Sequence, residues 1–135
     1  MNDPEATHAA NESKPTPVIF VVDDSPDSDE LVEFILNSAG YQARVFSDPL
    51  TALSALSSAD PKPSLLVTDF RMPRINGMEL IQRCKAIQPE LKVISASATL
   101  GEEEMARYRD KPDRLLPKPY STTQLLQVVK SLLAE

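Results

Sequence analysis

The chain has a single cysteine, Cys84, so no internal disulfide can form. Its place in MELIQRCKAI, at helical spacing from Leu80 and Ile87, points to burial rather than reactivity. No stretch approaches the roughly 18 consecutive apolar residues of a membrane span, and the N-terminus lacks the basic-then-apolar order of a signal peptide. The expectation is a soluble, cytoplasmic protein with no membrane partner. Basic residues are in the minority, with 14 Lys and Arg against 20 Asp and Glu and a net charge of -6. That balance disfavours direct nucleic-acid binding, which draws its affinity from cations that neutralise phosphates. His8 is the one histidine, and with no partner residue beside it it reads as a solvated side chain. At 135 residues the chain fits one domain, and no internal repeat is evident.

What is present is an alternation of strand-like and helix-like segments after a polar tail. Residues 1–17 mix Pro4, Pro15 and Pro17 with Asn, Glu, Ser and Thr and show no apolar periodicity, so a disordered tail is expected there. The folded body is expected over residues 18–135. VIFVV reads as a buried strand, and Ser25-Pro26 opens a helix whose apolar face is expected to be Leu31, Phe34, Ile35 and Ser38, ending at Gly40. A strand around QARVF follows, then Asp48-Pro49 opens a helix with Leu50, Leu53 and Leu56. LLVT is the third strand, and the third helix, from about Gly77 to Ile87, stops before Pro89. KVISAS is the fourth strand. Thr99 with Glu102 forms a plausible capping box for a short fourth helix, whose core stripe would hold only Met105, Ala106 and Tyr108. Ser121 with Gln124 forms a second box, opening a fifth helix with Leu125, Val128, Val129 and Leu132. Five such units predict an α/β fold, a five-stranded parallel sheet doubly wound as (βα)5.

Chemistry concentrates where the strands end. Asp23 and Asp24 follow VIFVV, Asp69 follows SLLVT, Ser97 closes the fourth strand, and Lys118 follows the apolar run RLLP. In an open parallel sheet the crevice beyond the carboxyl ends of the strands binds ligands, so these residues would meet. Three crowded carboxylates repel one another unless a cation sits among them, and hard oxygen donors suit Mg²⁺. Each acid taken alone is as well explained by a turn or helix cap. Their occurrence in order, one set per strand with only the second skipped, argues for a site. Asp69 would form an acyl phosphate if a metal and Lys118 neutralised the incoming phosphoryl oxygens. Ser97 would donate a hydroxyl to that group, and the small Ala98 would leave it room.

VIFVVDDSPD, LLVTDFRMPRINGMEL, VISASA and LLPKPY resemble the signatures of the receiver domain of two-component response regulators, over about Val18 to Leu133. The resemblance implies a flavodoxin-like fold. It also implies Asp69 as phosphoacceptor, served by a phosphohistidine of a histidine kinase or histidine phosphotransfer protein. Mg²⁺ would be held by Asp24, Asp69 and the backbone carbonyl of Arg71, with Asp23 acting through water. Ser97 and Lys118 would contact the phosphoryl group, Pro73 and Gly77 would shape the loop after the acceptor, and Pro119 would follow a cis peptide bond. Output would pass to an unidentified protein, or to a second copy, through the face from the fourth helix to the fifth. Leu115 departs from the family pattern, standing where an aromatic residue usually reports phosphorylation.

Other readings use the same residues. A phosphorylation-independent interaction module would keep the pocket and lose the signal. A phosphatase of the haloacid-dehalogenase type also uses a strand-end Asp with Mg²⁺, but it expects a second acid two residues on. Here that offset holds Arg71 after Asp69 and Ser25 after Asp23. The expectation is therefore a phosphoacceptor and not a turnover enzyme.

Overall fold

A computed structural model describes residues 16–70, 72, 74–97, 103 and 106–134 of the chain. Its elements run β1 (Val18–Val22), α1 (Pro26–Ser38), β2 (Gln42–Phe46), α2 (Pro49–Ser57), β3 (Leu65–Asp69), α3 (Gly77–Ile87), β4 (Lys92–Ser97), β5 (Arg114–Pro117) and α4 (Thr122–Leu133). The helix expected between β4 and β5, with its Thr99–Glu102 box, falls mostly outside the described residues, so α4 is the helix predicted as the fifth. The tail is likewise outside them, apart from residues 16 and 17. Among the described residues no helix is long and apolar enough to cross a membrane.

The sheet is parallel throughout, in the order β2-β1-β3-β4-β5. The chain steps outward from β1 to β2, then returns past β1 to build the rest, which leaves a switch point between β1 and β3. Helices cover both faces, so the central strands are apolar on both sides rather than alternating with polar residues. Val18, Phe20 and Val22 point to the layer of α2 and α3, with Leu66, Met78, Ile81 and Val93. Ile19 and Val21 point to the layer of α1 and α4, with Val32, Leu36, Leu125 and Val129.

Local chemistry sets the helix starts. Asp48 accepts from the Leu50 N–H at 2.9 Å, and Asn76 accepts from the Glu79 N–H at 2.8 Å. Ser121 and Gln124 form the expected reciprocal box. Ser25 sits at the cap of α1 but its hydroxyl makes no cap bond; its N–H donates instead to Asp23 Oδ1 at 2.9 Å. Gly40, at φ +98°, takes the left-handed conformation that closes the turn after α1.

The expected face of α1 is corrected. Leu31 and Phe34 are 60% and 69% exposed and Ser38 is exposed, whereas Val32, Ile35 and Leu36 are buried together with Asp29. Two apolar stripes overlap in DELVEFIL. The buried one meets Ile19, Val21 and Leu116 across the sheet face. Smaller departures occur in α2 and α3: Leu50 and Ile87 are exposed, while Pro49, Ala52 and Gln88 are buried. Gln88 is buried with its Nε2 donating to the Pro63 carbonyl at 2.7 Å. Cys84 is buried as expected, and burial pushes its thiol up to about 12.

Candidate phosphoacceptor site

Register brings the separate motifs together. Val22 of β1 lies opposite Thr68 of β3, so Asp23 and Asp69 leave neighbouring strands side by side at the switch point. Asp69 lies opposite Ala96 of β4, which puts Ser97 one residue further along the same edge. Ser97 in turn lies opposite Pro117 of β5, and the next residue is Lys118. The Lys118 N–H donates to the Ser97 carbonyl at 2.9 Å, tying the two strand ends.

Among the described residues, three carboxylates and one ammonium occupy this edge. One oxygen from each of Asp23, Asp24 and Asp69 lies within 4.8 Å of the others. Lys118 Nζ donates to Asp23 Oδ2 at 3.1 Å and to Asp69 Oδ2 at 3.4 Å. The other oxygens of these two acids face the backbone. Asp23 Oδ1 accepts from Ser25 N–H, and Asp69 Oδ1 accepts from Phe70 N–H at 2.7 Å. Asp23 is buried, Asp69 is half-buried and Asp24 is exposed, so the cluster opens to solvent on the Asp24 side. Burial works to lower the pKa of Lys118, but the hydrogen bond and charge of Asp23, joined by Asp69, outweigh it and hold the ammonium above its ordinary range. The donor set fits a hard divalent cation: clustered carboxylate oxygens at a solvent-facing edge. Asp23, Asp24 and Asp69 could hold it.

The loop after Asp69 is packed tightly. The Gly77 N–H donates to the Phe70 carbonyl at 2.7 Å, and the Thr68 hydroxyl donates to the Asp69 carbonyl at 2.9 Å. A Cβ on Gly77 would lie 2.4 Å from that same Asp69 carbonyl oxygen. Arg74, at φ +75°, reaches across to Asp48 Oδ2 at 2.6 Å, linking the loop to the cap of α2. The Lys118–Pro119 peptide is cis. Ser97 is buried at its expected place, and Leu115 is exposed on the edge strand β5. Arg71, Pro73 and Ala98 lie outside the described residues.

Three features escaped the sequence reading. Arg74 has no local partner to suggest its reach to Asp48. Asp29 did leave a signal, standing at helical spacing from Val32 and Leu36. A groove beside Lys118, of about 360 Å³ and lined by Leu31, Val32, Ile35, Pro119 and Tyr120, depends on the α1 face that was misread.

Comparison with known proteins follows the same outline. The family model of the response regulator receiver domain matches residues 19–130. An uncharacterised 14.6 kDa protein of Leptolyngbya boryana is 36% identical over 115 residues, covering 83% of this chain and 86% of its own. The DNA-binding transcriptional regulator NtrC of Rhizobium meliloti is 33% identical over 119 residues, covering 87% of this chain and 24% of its own. Among solved structures, a CheY-like receiver domain protein of Methanospirillum hungatei matches with a TM-score of 0.82 at 21% identity, covering 89% of this chain and 95% of that one. At that identity the likeness speaks for the fold.

Proposed function

The chain belongs to the response regulator receiver domain family, and on that premise we propose that Asp69 is the phosphoacceptor of a two-component phosphorelay. The observation that carries the reading is Lys118 Nζ, 3.1 Å from Asp23 and 3.4 Å from Asp69 within a cluster of three acids. A carboxylate, a cation-binding acid pair and a fixed ammonium are the parts an acyl-phosphate site needs.

In the proposed step an Asp69 oxygen attacks the phosphorus of a partner's phosphohistidine. A P–O bond forms, the P–N bond breaks, and its electron pair stays on the imidazole nitrogen, which then takes a proton from solvent. Lys118 leaves its contact with Asp69 to pair with a phosphoryl oxygen, and Ser97 donates its hydroxyl to another. Asp24 and Asp69, with the Arg71 carbonyl and with Asp23 acting through water, would hold Mg²⁺, which when bound would neutralise the remaining phosphoryl charge. Later attack by water returns the aspartate, so the only turnover is slow self-dephosphorylation.

The donor is a protein, a histidine kinase or a phosphotransfer protein. Support comes from the groove beside Lys118, walled by Leu31, and from the adjoining hollow that shares Leu31 and Ile35 with it and is lined by the exposed Phe34, an apolar surface contiguous with the site. Output is proposed through the β5 and α4 side, where Leu115 is exposed, to another protein or a second copy.

The test is intact mass after incubation with Mg²⁺ and acetyl phosphate. One added phosphoryl group, absent in Asp69→Asn and without Mg²⁺, is expected. No adduct at any time, with Mg²⁺ binding established separately, would overturn the reading in favour of a phosphorylation-independent interaction module.

A further inference from the structure

Arg74 stands in the loop between β3 and α3 at φ +75°, in the left-handed region that glycine enters freely and a residue with a Cβ enters at a cost. Such a conformation persists where surrounding contacts hold it, and here the side chain makes the contact. Arg74 Nη1 donates to Asp48 Oδ2 at 2.6 Å, while Asp48 Oδ1 accepts from the Leu50 N–H at 2.9 Å at the start of α2. Asp48 is a firm partner, because α2 is anchored behind it by Ala52 and Leu56 in the core layer that also holds Phe70 and Met78. Both ends of the loop are tied to the acceptor. The Phe70 N–H donates to Asp69 Oδ1 at 2.7 Å, and the Gly77 N–H donates to the Phe70 carbonyl at 2.7 Å. The Arg74–Asp48 pair adds an attachment between those ends, to a residue 26 positions away in the chain.

We propose that Arg74 is a positioning residue for the acceptor. By clamping the loop to the cap of α2 it keeps the Phe70 N–H on Asp69 Oδ1, and so keeps Asp69 Oδ2 turned toward Lys118, 3.4 Å away. This rests on the reading of Asp69 as the phosphoacceptor. The guanidinium charge is met by Asp48, so Arg74 acts through the backbone and not by attracting the anionic donor. A loop already in place needs no ordering when the phosphoryl group arrives.

The maximal rate of phosphoryl uptake from acetyl phosphate, measured on the whole chain at saturating Mg²⁺, tests this with substitutions on both sides of the pair. Arg74→Met removes the guanidinium and keeps the stem, whereas Asp48→Asn keeps a helix cap of equal quality and removes the charge. The Arg74 side chain is exposed and that of Asp48 partly so, which bounds the effect. Each variant is expected to be about fivefold slower, equivalent to about 1 kcal/mol and at the upper end for an exposed ion pair. The double variant should be no slower than either single one, and Arg74→Lys should recover most of the loss. Arg74→Gly relieves the backbone, so it should melt no lower than Arg74→Met and yet be as slow, which separates positioning from stability. Amide exchange at Phe70 and Gly77 should be faster in every slow variant. Unchanged rates and exchange would overturn the clamp and leave Asp69 standing as acceptor. A slower Arg74→Met beside a faster Asp48→Asn would overturn it in favour of a charge that attracts the donor. Failure of the wild type to take up a phosphoryl group would overturn both readings.

Discussion

Gly77→Ala tests whether the backbone under the acceptor is as closely packed as the structure shows. A Cβ at this position would lie 2.4 Å from the Asp69 carbonyl oxygen, 2.9 Å from Phe70 Cα and 3.2 Å from Asp69 C. All three are backbone atoms, so no side chain can swing away; either α3 or the end of β3 must move. Overpacking of this kind costs about 1–3 kcal/mol, with rigid backbone neighbours placing it near the upper figure. Moving α3 also stretches the 2.7 Å bond from Gly77 N–H to the Phe70 carbonyl, worth about 1 kcal/mol. Alanine's better helix propensity returns at most about 1 kcal/mol. The net loss is about 2–3 kcal/mol, which for a domain of this size lowers the melting temperature by roughly 6–15 °C. Far-UV circular dichroism is the suitable probe, since the chain has no tryptophan. Because the clash falls on Asp69 itself, phosphoryl uptake from acetyl phosphate should drop as well, at a temperature where the variant is still folded. A variant that melts with wild type and takes up phosphoryl at the wild-type rate would refute the packing argument.

Two further expectations separate the parts of the site. Glutamate at both Leu31 and Phe34, exposed positions outside the core, should leave uptake from acetyl phosphate and the melting temperature nearly unchanged. It should slow uptake from a protein donor by tenfold or more, as expected for loss of a hot spot worth about 1.4 kcal/mol or above; equal slowing with both donors would refute the docking role. Lys118→Met removes an ammonium whose folded-state pKa is raised by Asp23 and Asp69. The stability this ion contributes is fully present below its ordinary value of 10.5 and is lost as pH rises through the raised folded value. The wild-type advantage over Lys118→Met in chemical denaturation should therefore hold at neutral pH and shrink above about pH 10.5. A constant difference across that range would refute the assigned contacts.

The sheet and the site were readable because each rests on order along the chain. VIFVV, LLVT and KVISAS are continuous apolar runs, as strands buried on both faces must be, and the residue after each run lands on one edge whatever the details of helix packing. The positions of Asp23, Asp69 and Ser97 thus followed from strand ends alone, and the place of Lys118 from the last of them. The face of α1 was not readable in the same way. Leu31, Val32, Phe34, Ile35 and Leu36 are all apolar, so periodicity admits two stripes, and only the shape of the sheet surface chooses between them. The bulkier Phe34 drew the reading to the wrong stripe; the smaller Val32 fits against Ile19 and Val21. Arg74 was hidden for a different reason, since its partner Asp48 is 26 residues away.

The electrostatics of the site explain why Lys118 is its one fixed cation among the described residues. Asp23, Asp24 and Asp69 cluster at the strand ends, and Lys118 pairs with Asp23 and Asp69. A second fixed ammonium would stabilise the fold more and would occupy the oxygens that the phosphoryl chemistry requires. Lys118 instead divides its donors between Asp23 Oδ2 and Asp69 Oδ2 at 3.1 and 3.4 Å, distances longer than a strong charge-assisted bond. Meanwhile Asp23 Oδ1 and Asp69 Oδ1 are fixed by backbone N–H groups, so the carboxylates keep their orientation when the ammonium departs. In the proposed reaction the ammonium can then follow the transferred charge while the acids stay aimed. The negative charge left uncompensated at rest is what would draw a divalent ion to this edge.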